Sequence, residues 1–247
     1  MFKTSTPKGA ETQARILDAA LTLFRERGFE ATTMRQVADR AGMSLGAAYH
    51  YFPTKEAIVL AYYVQVSEEH GRRVEEQLPR AKSLGDKLAI AIHAKLDILQ
   101  NDRPLLGALL RFTGQPSHPL SFLGRGARGI QLHSMAVLST PLRDLRLPEE
   151  TRTLAPVALW AMHMGILLYF LYDESPEQRR THRLVDGSIS IFVAGLKIAR
   201  LPGFRAVPRK VLTVLTDAGV VPSTEELAAA ASDVASLTAP TFDAVTR

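Results

Sequence analysis

Cysteine is absent from the 247 residues. That excludes disulfides, thiolate metal ligands and thiol nucleophiles, and it fits a reducing compartment. Strand signals are almost missing: short alternations of apolar and polar residues hardly occur, so sheet-based classes fall away. No block of like charge exists. Residues 1–60 carry eight Lys and Arg against six Asp and Glu, and the remainder 22 against 19, within a net charge of +5. A basic surface would therefore have to come from geometry. The opening "MFKTSTPKGAE" lacks the apolar core of a signal peptide and reads as a short, weakly basic arm over 1–9. Internal repeats are missing as well.

What is present is helical spacing, punctuated by Pro and Gly. Residues 10–27 place Ile16, Ala20, Leu23 and Phe24 on one face, and Gly28 supplies a left-handed stop. Thr33 and Gln36 stand at capping-box spacing, so a short helix starts there and ends at Gly42. Ser44 caps a third helix through Tyr51. Pro53 breaks it, and Thr54 caps a long fourth helix to about residue 78, with Glu56 in its first turn. Further helices are expected at 84–100, 104–113, 121–138, 149–172, 176–200 and 208–218. The last 25 or so residues, rich in Ala, Ser and Thr, read as loosely held.

The stretch "AGMSLGAAYHYFPTKE" (41–56) is unusual for either a core or a solvated helix. Gly46, Ala47 and Ala48 are too small for a core, and no charge occurs between Ala41 and Pro53. Two short helices joined at Gly42-Met43 form a helix-turn-helix, whose second helix enters a DNA major groove. Small residues at 46–48 would let the backbone approach the duplex. Tyr49 and His50 would reach phosphates or bases, Phe52 would anchor the helix, and Lys55 with the amides near Thr54 would suit a phosphate.

Read with the preceding "ARILDAALTLFRERG", the segment "GFEATTMRQVADRAGMSLGAAYHYFPTKEAI" resembles the TetR family of transcriptional regulators over roughly residues 10–60. The resemblance implies an all-α chain: a three-helix DNA-binding domain at 10–55, a ligand-binding and dimerisation domain at 56–205 and a C-terminal extension at 206–247. It also implies a cytoplasmic homodimer on a palindromic operator, released when a small hydrophobic or amphipathic effector binds. By position, Thr33, Arg35, Ser44, Leu45, Gly46, Ala47, Tyr49, His50, Tyr51 and Lys55 are its candidate DNA contacts. Arg35 has the reach for a bidentate guanine contact, and Ala47 for a thymine methyl. Gly46 and Ala47 bring no hydrogen-bonding side chain, so part of the recognition would rest on DNA shape. The long helix from Thr54 would act as the lever.

Other signals lead less far. "GRGARG" (124–129) matches G-x-G-x-x-G but has no strand before it and no βαβ context, so it reads as a loop. "LAPVALWAMHMGILLYFLY" (154–172) is long and apolar enough to span a membrane. Pro156, His163 and Gly165 favour an interior helix, pairing with 176–200 in a dimer bundle, with no membrane involved. In that second helix Leu184, Val185, Ile189, Phe192, Val193 and Leu196 have suitable spacing. Histidines 70, 93, 118, 133, 163 and 182 show no paired ligand spacing, so neither a metal nor another cofactor is expected. No nucleophile elbow exists, and an enzyme is not expected. The helices between 84 and 172 would enclose a mostly apolar cavity, with His93, Phe112, Trp160, His163, Met164 and Tyr169 as candidate ligand contacts. His163 stands out, because an imidazole in an apolar run needs a partner. The competing reading is a small-molecule-binding helical module that ignores DNA sequence.

Overall fold

Caps and stops in the sequence set the helices of the computed structural model, which describes residues 7–115, 117–121, 128–201, 203 and 206–217. Ten α-helices and a few 3-10 turns make up the regular structure among the described residues. They are α1 (Pro7–Arg27), α2 (Met34–Arg40), α3 (Leu45–Tyr51), α4 (Lys55–Gln77), α5 (Leu84–Leu99), α6 (Arg103–Thr113), α7 (Arg128–Ser139), α8 (Glu149–Tyr172), α9 (Arg179–Ile198) and α10 (Ala206–Asp217). Helix α1 begins inside the expected arm. The helix expected from 121 is described only from Arg128, because 122–127 lie outside the described residues. Most of the "GRGARG" loop falls there too, as do residues 218–247 of the C-terminal extension.

Contacts divide the chain into two units. Among the described residues, the first holds those up to Val66 together with 101–130; the second holds 67–100 and 131–217. The division falls within α4, not at its start. It assigns α6 to the first unit, where α6 packs on α1. It assigns α10 to the second, where α10 packs on α8 and Arg209 donates to Glu150 at 2.6 Å. Packing partners, not chain order, define each unit.

In the first unit, Ile16, Ala20, Leu23 and Phe24 line the inner face of α1. Phe29, Val37, Ala38, Ala48, Phe52 and Ile58 are buried in the same unit, and Phe24 meets Phe29 edge-on at 5.2 Å. Burying a side chain the size of Phe52 stabilises by roughly 1.5–3 kcal/mol. Gly28 ends α1 at φ +88°. Gly42 ends α2 at φ +67°, where the amides of Gly42 and Met43 donate to the carbonyls of Asp39 and Ala38. A Cβ on Gly42 would meet nothing within 4 Å. Gly42→Ala therefore carries only the left-handed backbone cost. A loss of about 1–2 kcal/mol is expected in a denaturation experiment.

In the second unit, α5 packs against α8 and α9, and α8 against α9 and α10. Ser83 and Asp86 form a capping box at the start of α5. Buried Asp173 sets the entry to α9. It accepts from the Ser175 amide, the Thr181 amide and the Thr181 hydroxyl at 2.9, 2.9 and 2.7 Å. These bonds hold a connection in which Glu177 and Gln178 adopt φ of 55° and 49°. Helix α8 has the length and apolarity of a membrane span, yet Leu159, His163, Ile166 and Phe170 are buried inside this unit.

Candidate functional site

Helices α2 and α3 build the first candidate site from local bonds. Thr33 Oγ1 accepts from the Gln36 amide at 3.3 Å, and Gln36 Oε1 accepts from the Thr33 amide at 2.8 Å. Ser44 Oγ accepts from the Ala47 amide at 3.2 Å. These caps fix the start of both helices. Helix α3 then presents two faces. Ala48 is fully buried and Phe52 nearly so, which seats the helix on the domain. Ala48 is thus small for packing, and the expectation that it opens the backbone to the duplex is corrected.

The opposite face is open. Thr33, Arg35, Ser44, Gly46, Tyr49 and His50 are exposed, while Leu45, Ala47 and Tyr51 are half-buried. Tyr51 packs edge-on against His50 at 5.4 Å. Gly46 is the informative position. It is helical, and a Cβ there would meet nothing within 4 Å. Nothing in its own unit demands glycine, although glycine weakens a helix by about 0.5–1 kcal/mol relative to alanine. Arg40 of the same motif is occupied, since it donates to Glu26 at 2.9 and 3.0 Å.

Lys55 differs from expectation. Its ammonium donates to the carbonyls of Phe29 and Glu30 at 2.7 and 3.2 Å and rests 4.6 Å from the centroid of the Phe29 ring. Here it ties the turn after α1 to the start of α4. A phosphate would have to compete with those carbonyls.

The candidate ligand contacts are divided between the two units. Phe112 belongs to the first unit, between Phe29 (5.6 Å) and His118 (4.6 Å). In the second unit Trp160 and Met164 are half-buried, Tyr169 is exposed, and His93 stacks on His182 at 5.1 Å. Burial and His182 push the His93 imidazole below its ordinary range. His163 lies on α8 in the same unit. It is fully enclosed, neither ring nitrogen has a partner among the described residues, and burial drives its pKa down to about 3.

The same unit buries further polar groups that no sequence signal singled out: Ser67, His70, Lys95, Gln131 and His133. The charge of Lys95 depresses the proton affinity of His70, His133 and His163, which sets all three imidazoles in its field. Lys95 falls in step with Leu88, Ala91, Ile92 and Leu99 on the buried face of α5. No group of three His, Asp or Glu among the described residues is arranged to hold a metal ion.

With this geometry in view, the comparisons with known proteins are direct. Residues 16–62 match the model of bacterial regulatory proteins of the tetR family. Residues 87–208 match the tetracyclin repressor-like C-terminal domain. The chain belongs to the TetR family of transcriptional regulators. The TetR family is one of DNA-binding regulators, not enzymes. An uncharacterized HTH-type transcriptional regulator of Mycobacterium tuberculosis is 26% identical over 191 residues, covering 76% of this chain and 91% of that one. A TetR-family regulator from Streptomyces coelicolor has the same fold, with a TM-score of 0.60 at 22% identity over 83% of this chain and 89% of its own. So does the TetR-family repressor FadR of Thermus thermophilus, solved with lauroyl-CoA, with a TM-score of 0.52 at 23% identity over 76% and 95% of the two chains. The first TetR model ends at Tyr62, close to the division at Val66.

Proposed function

We propose that this TetR-family regulator is a ligand-responsive repressor that binds a palindromic operator as a homodimer and lets go when a largely apolar effector enters its second unit. The observation that carries the DNA face is Gly46, exposed on α3 where no internal contact asks for glycine. Arg35, Ser44, Tyr49 and His50 surround it as phosphate and base contacts. Leu45, Ala47 and Tyr51 form the half-buried edge, and Thr33 supplies a phosphate contact at the start of α2. With small residues at the centre, shape readout adds to a few direct contacts.

Dimerisation is supported by exposed apolar side chains on α8 and α9. Leu168 and Tyr172 stand one turn apart on α8, and Leu184, Ile191 and Ile198 recur every seven residues on α9. That spacing draws a stripe suited to helix pairing with a second copy. Two recognition helices must then match major grooves about 34–36 Å apart. An effector moving the population from 1:99 to 99:1 needs about 5.5 kcal/mol of differential affinity. Helix α4 is unbroken from Lys55 to Gln77 and is the candidate lever. The FadR repressor of Thermus thermophilus, solved with lauroyl-CoA, is a repressor of the same fold whose ligand carries a long apolar chain.

Selection of binding sites from random duplexes tests this reading, run at two salt concentrations and repeated with an Arg35→Ala, Tyr49→Ala double variant. A palindrome is expected, bound with steep salt dependence and lost in the variant. No enriched site, together with small-molecule binding, would favour the module that ignores DNA sequence.

A further inference from the structure

Polar side chains from four helices meet inside the second unit without satisfying one another. Ser67 and His70 come from α4, Lys95 from α5, His133 from α7 and His163 from α8; none is more than 8% exposed. Buried polar groups in folded proteins are almost always paired. Here Ser67 Oγ, His70 Nδ1 and both ring nitrogens of His133 and of His163 have no hydrogen-bond partner among the described residues. His133 approaches the Ser67 backbone without reaching hydrogen-bond geometry.

The charge balance is equally incomplete. Lys95 carries an ammonium into this interior, and no carboxylate among the described residues acts on it. Neighbouring Asp97 on α5 and Glu68 on α4 are exposed, and Asp97 acts on His93 instead. Burial lowers Lys95 to about 8, so it stays mostly charged at neutral pH. The same burial holds His70, His133 and His163 below their ordinary range, so these rings are neutral there. The net charge of the cluster is that of one ammonium. Directionality follows from His70. Its Nε2 lies 2.7 Å from the Ala91 carbonyl oxygen, which can only accept. Nε2 therefore carries the proton, and Nδ1 is left as an acceptor.

We propose that this cluster is the polar end of the effector site and that it takes a carboxylate, the head of an organic acid whose apolar body lies along the surrounding helices. Lys95 neutralises the anion, and His133 and His163 each donate one N–H to it. His70 Nδ1 accepts from any hydroxyl the acid carries. A single cation among neutral rings matches a monoanion. A phosphate dianion would call for the guanidinium forks or additional cations that such sites use, and no arginine is buried here among the described residues. The assignment rests on the ligand-responsive reading above and names the chemistry of the ligand.

The test measures thermal shifts of the purified full-length protein with straight-chain carboxylates from butyrate to palmitate, phenylalkanoates and naphthoates. Each acid is paired with its methyl ester and its coenzyme A thioester. At least one acid should raise Tm while its ester and thioester do not. Anion affinity should fall about tenfold per pH unit above about pH 8, as the ammonium is lost. Between about pH 8 and the ordinary lysine value of 10.5, the unfolded chain holds a proton that the folded one has shed. The ligand-free protein should accordingly gain stability as pH rises through that window. Lys95→Met should raise the ligand-free Tm by about 5 °C and abolish the acid's effect. His163→Phe should weaken binding about tenfold by removing one donor.

Three results would each overturn the assignment: no acid shifting Tm at neutral pH, esters or thioesters matching their acids, or Lys95→Met still binding the acid. Should that variant fail to fold, the wild-type pH profile and His163→Phe decide. Operator binding is measured in parallel on ligand-free protein. Operator binding without acid binding would sink the carboxylate assignment alone. Acid binding without operator binding would sink the regulator reading alone.

Discussion

Replacing Gly46 with leucine is expected to abolish operator binding, by at least about 100-fold or 2.7 kcal/mol, while the protein stays folded. The fold has room for the change. Position 46 is helical and exposed, and a Cβ there meets nothing within 4 Å. Leucine also suits a helix better than glycine does, by about 0.5–1 kcal/mol. The loss would come from outside the molecule. A leucine side chain standing off α3 would hold the helix away from the bases, and neighbouring Tyr49 and His50 would lose their reach. Gly46→Ala should lie between, with a slightly raised Tm and a modest loss of affinity. Fluorescence anisotropy on the selected operator, together with a circular-dichroism melt, separates the two effects. Wild-type affinity in Gly46→Leu would mean that α3 does not enter the groove.

The largest stability loss is expected at Asp102. This carboxylate is 5% exposed. It accepts from Arg25 Nε and Nη2 at 2.6 and 3.2 Å and from the Tyr62 hydroxyl at 2.6 Å. One residue thus clamps α1, the first half of α4 and the start of α6 within the first unit. The pairing raises the proton affinity of Arg25, and burial together with Asp102 pushes Tyr62 far up, so both partners are held as donors. Asp102→Ala strands the Tyr62 hydroxyl and the inner side of the guanidinium. Breaking a buried pair costs about 3–5 kcal/mol. The Arg25 side chain is 42% exposed, and water recovers part of that cost. A loss of about 2–4 kcal/mol in chemical denaturation is therefore expected. Tyr62→Phe removes one donor and leaves the carboxylate paired with Arg25, so about 1 kcal/mol is expected there. A double-mutant cycle on Tyr62 and Asp102 measures their coupling. Near-additive losses would show that the clamp does not act as a unit.

The helix-turn-helix was legible in the sequence because short-range bonds build it. Thr33 with Gln36, Ser44 with Ala47 and Thr54 with Ala57 are caps between residues three apart. Gly28 and Gly42 are stops that any chain needing positive φ would use. Helix lengths and the inner face of α1 follow from the same local periodicity, and so did the family. Burial splits faces more finely than residue size does, which is why Ala48 was read with Gly46 although one packs and the other is open.

The second unit was legible only as apolar helices. His163 was noticed because a lone imidazole in an apolar run is conspicuous. Lys95 was passed over because a charged residue on a helix is usually solvated; its register with Leu88, Ile92 and Leu99 was the available sign. Nor did any local pattern show that Phe112 meets Phe29.

By itself, then, the sequence determined an all-helical chain, a DNA-reading motif with its caps and turns, and the family. Those depend on bonds and periods spanning three or four residues, which the order of side chains specifies directly. The tertiary structure alone decided that Lys55 is bound to the carbonyls of Phe29 and Glu30, that Asp102 joins Arg25 and Tyr62 from 77 and 40 residues away, and that Lys95 shares an interior with His70, His133 and His163. Such partners are chosen by how whole helices pack, and a side chain's charge or hydrogen-bonding capacity does not say which distant segment will meet it.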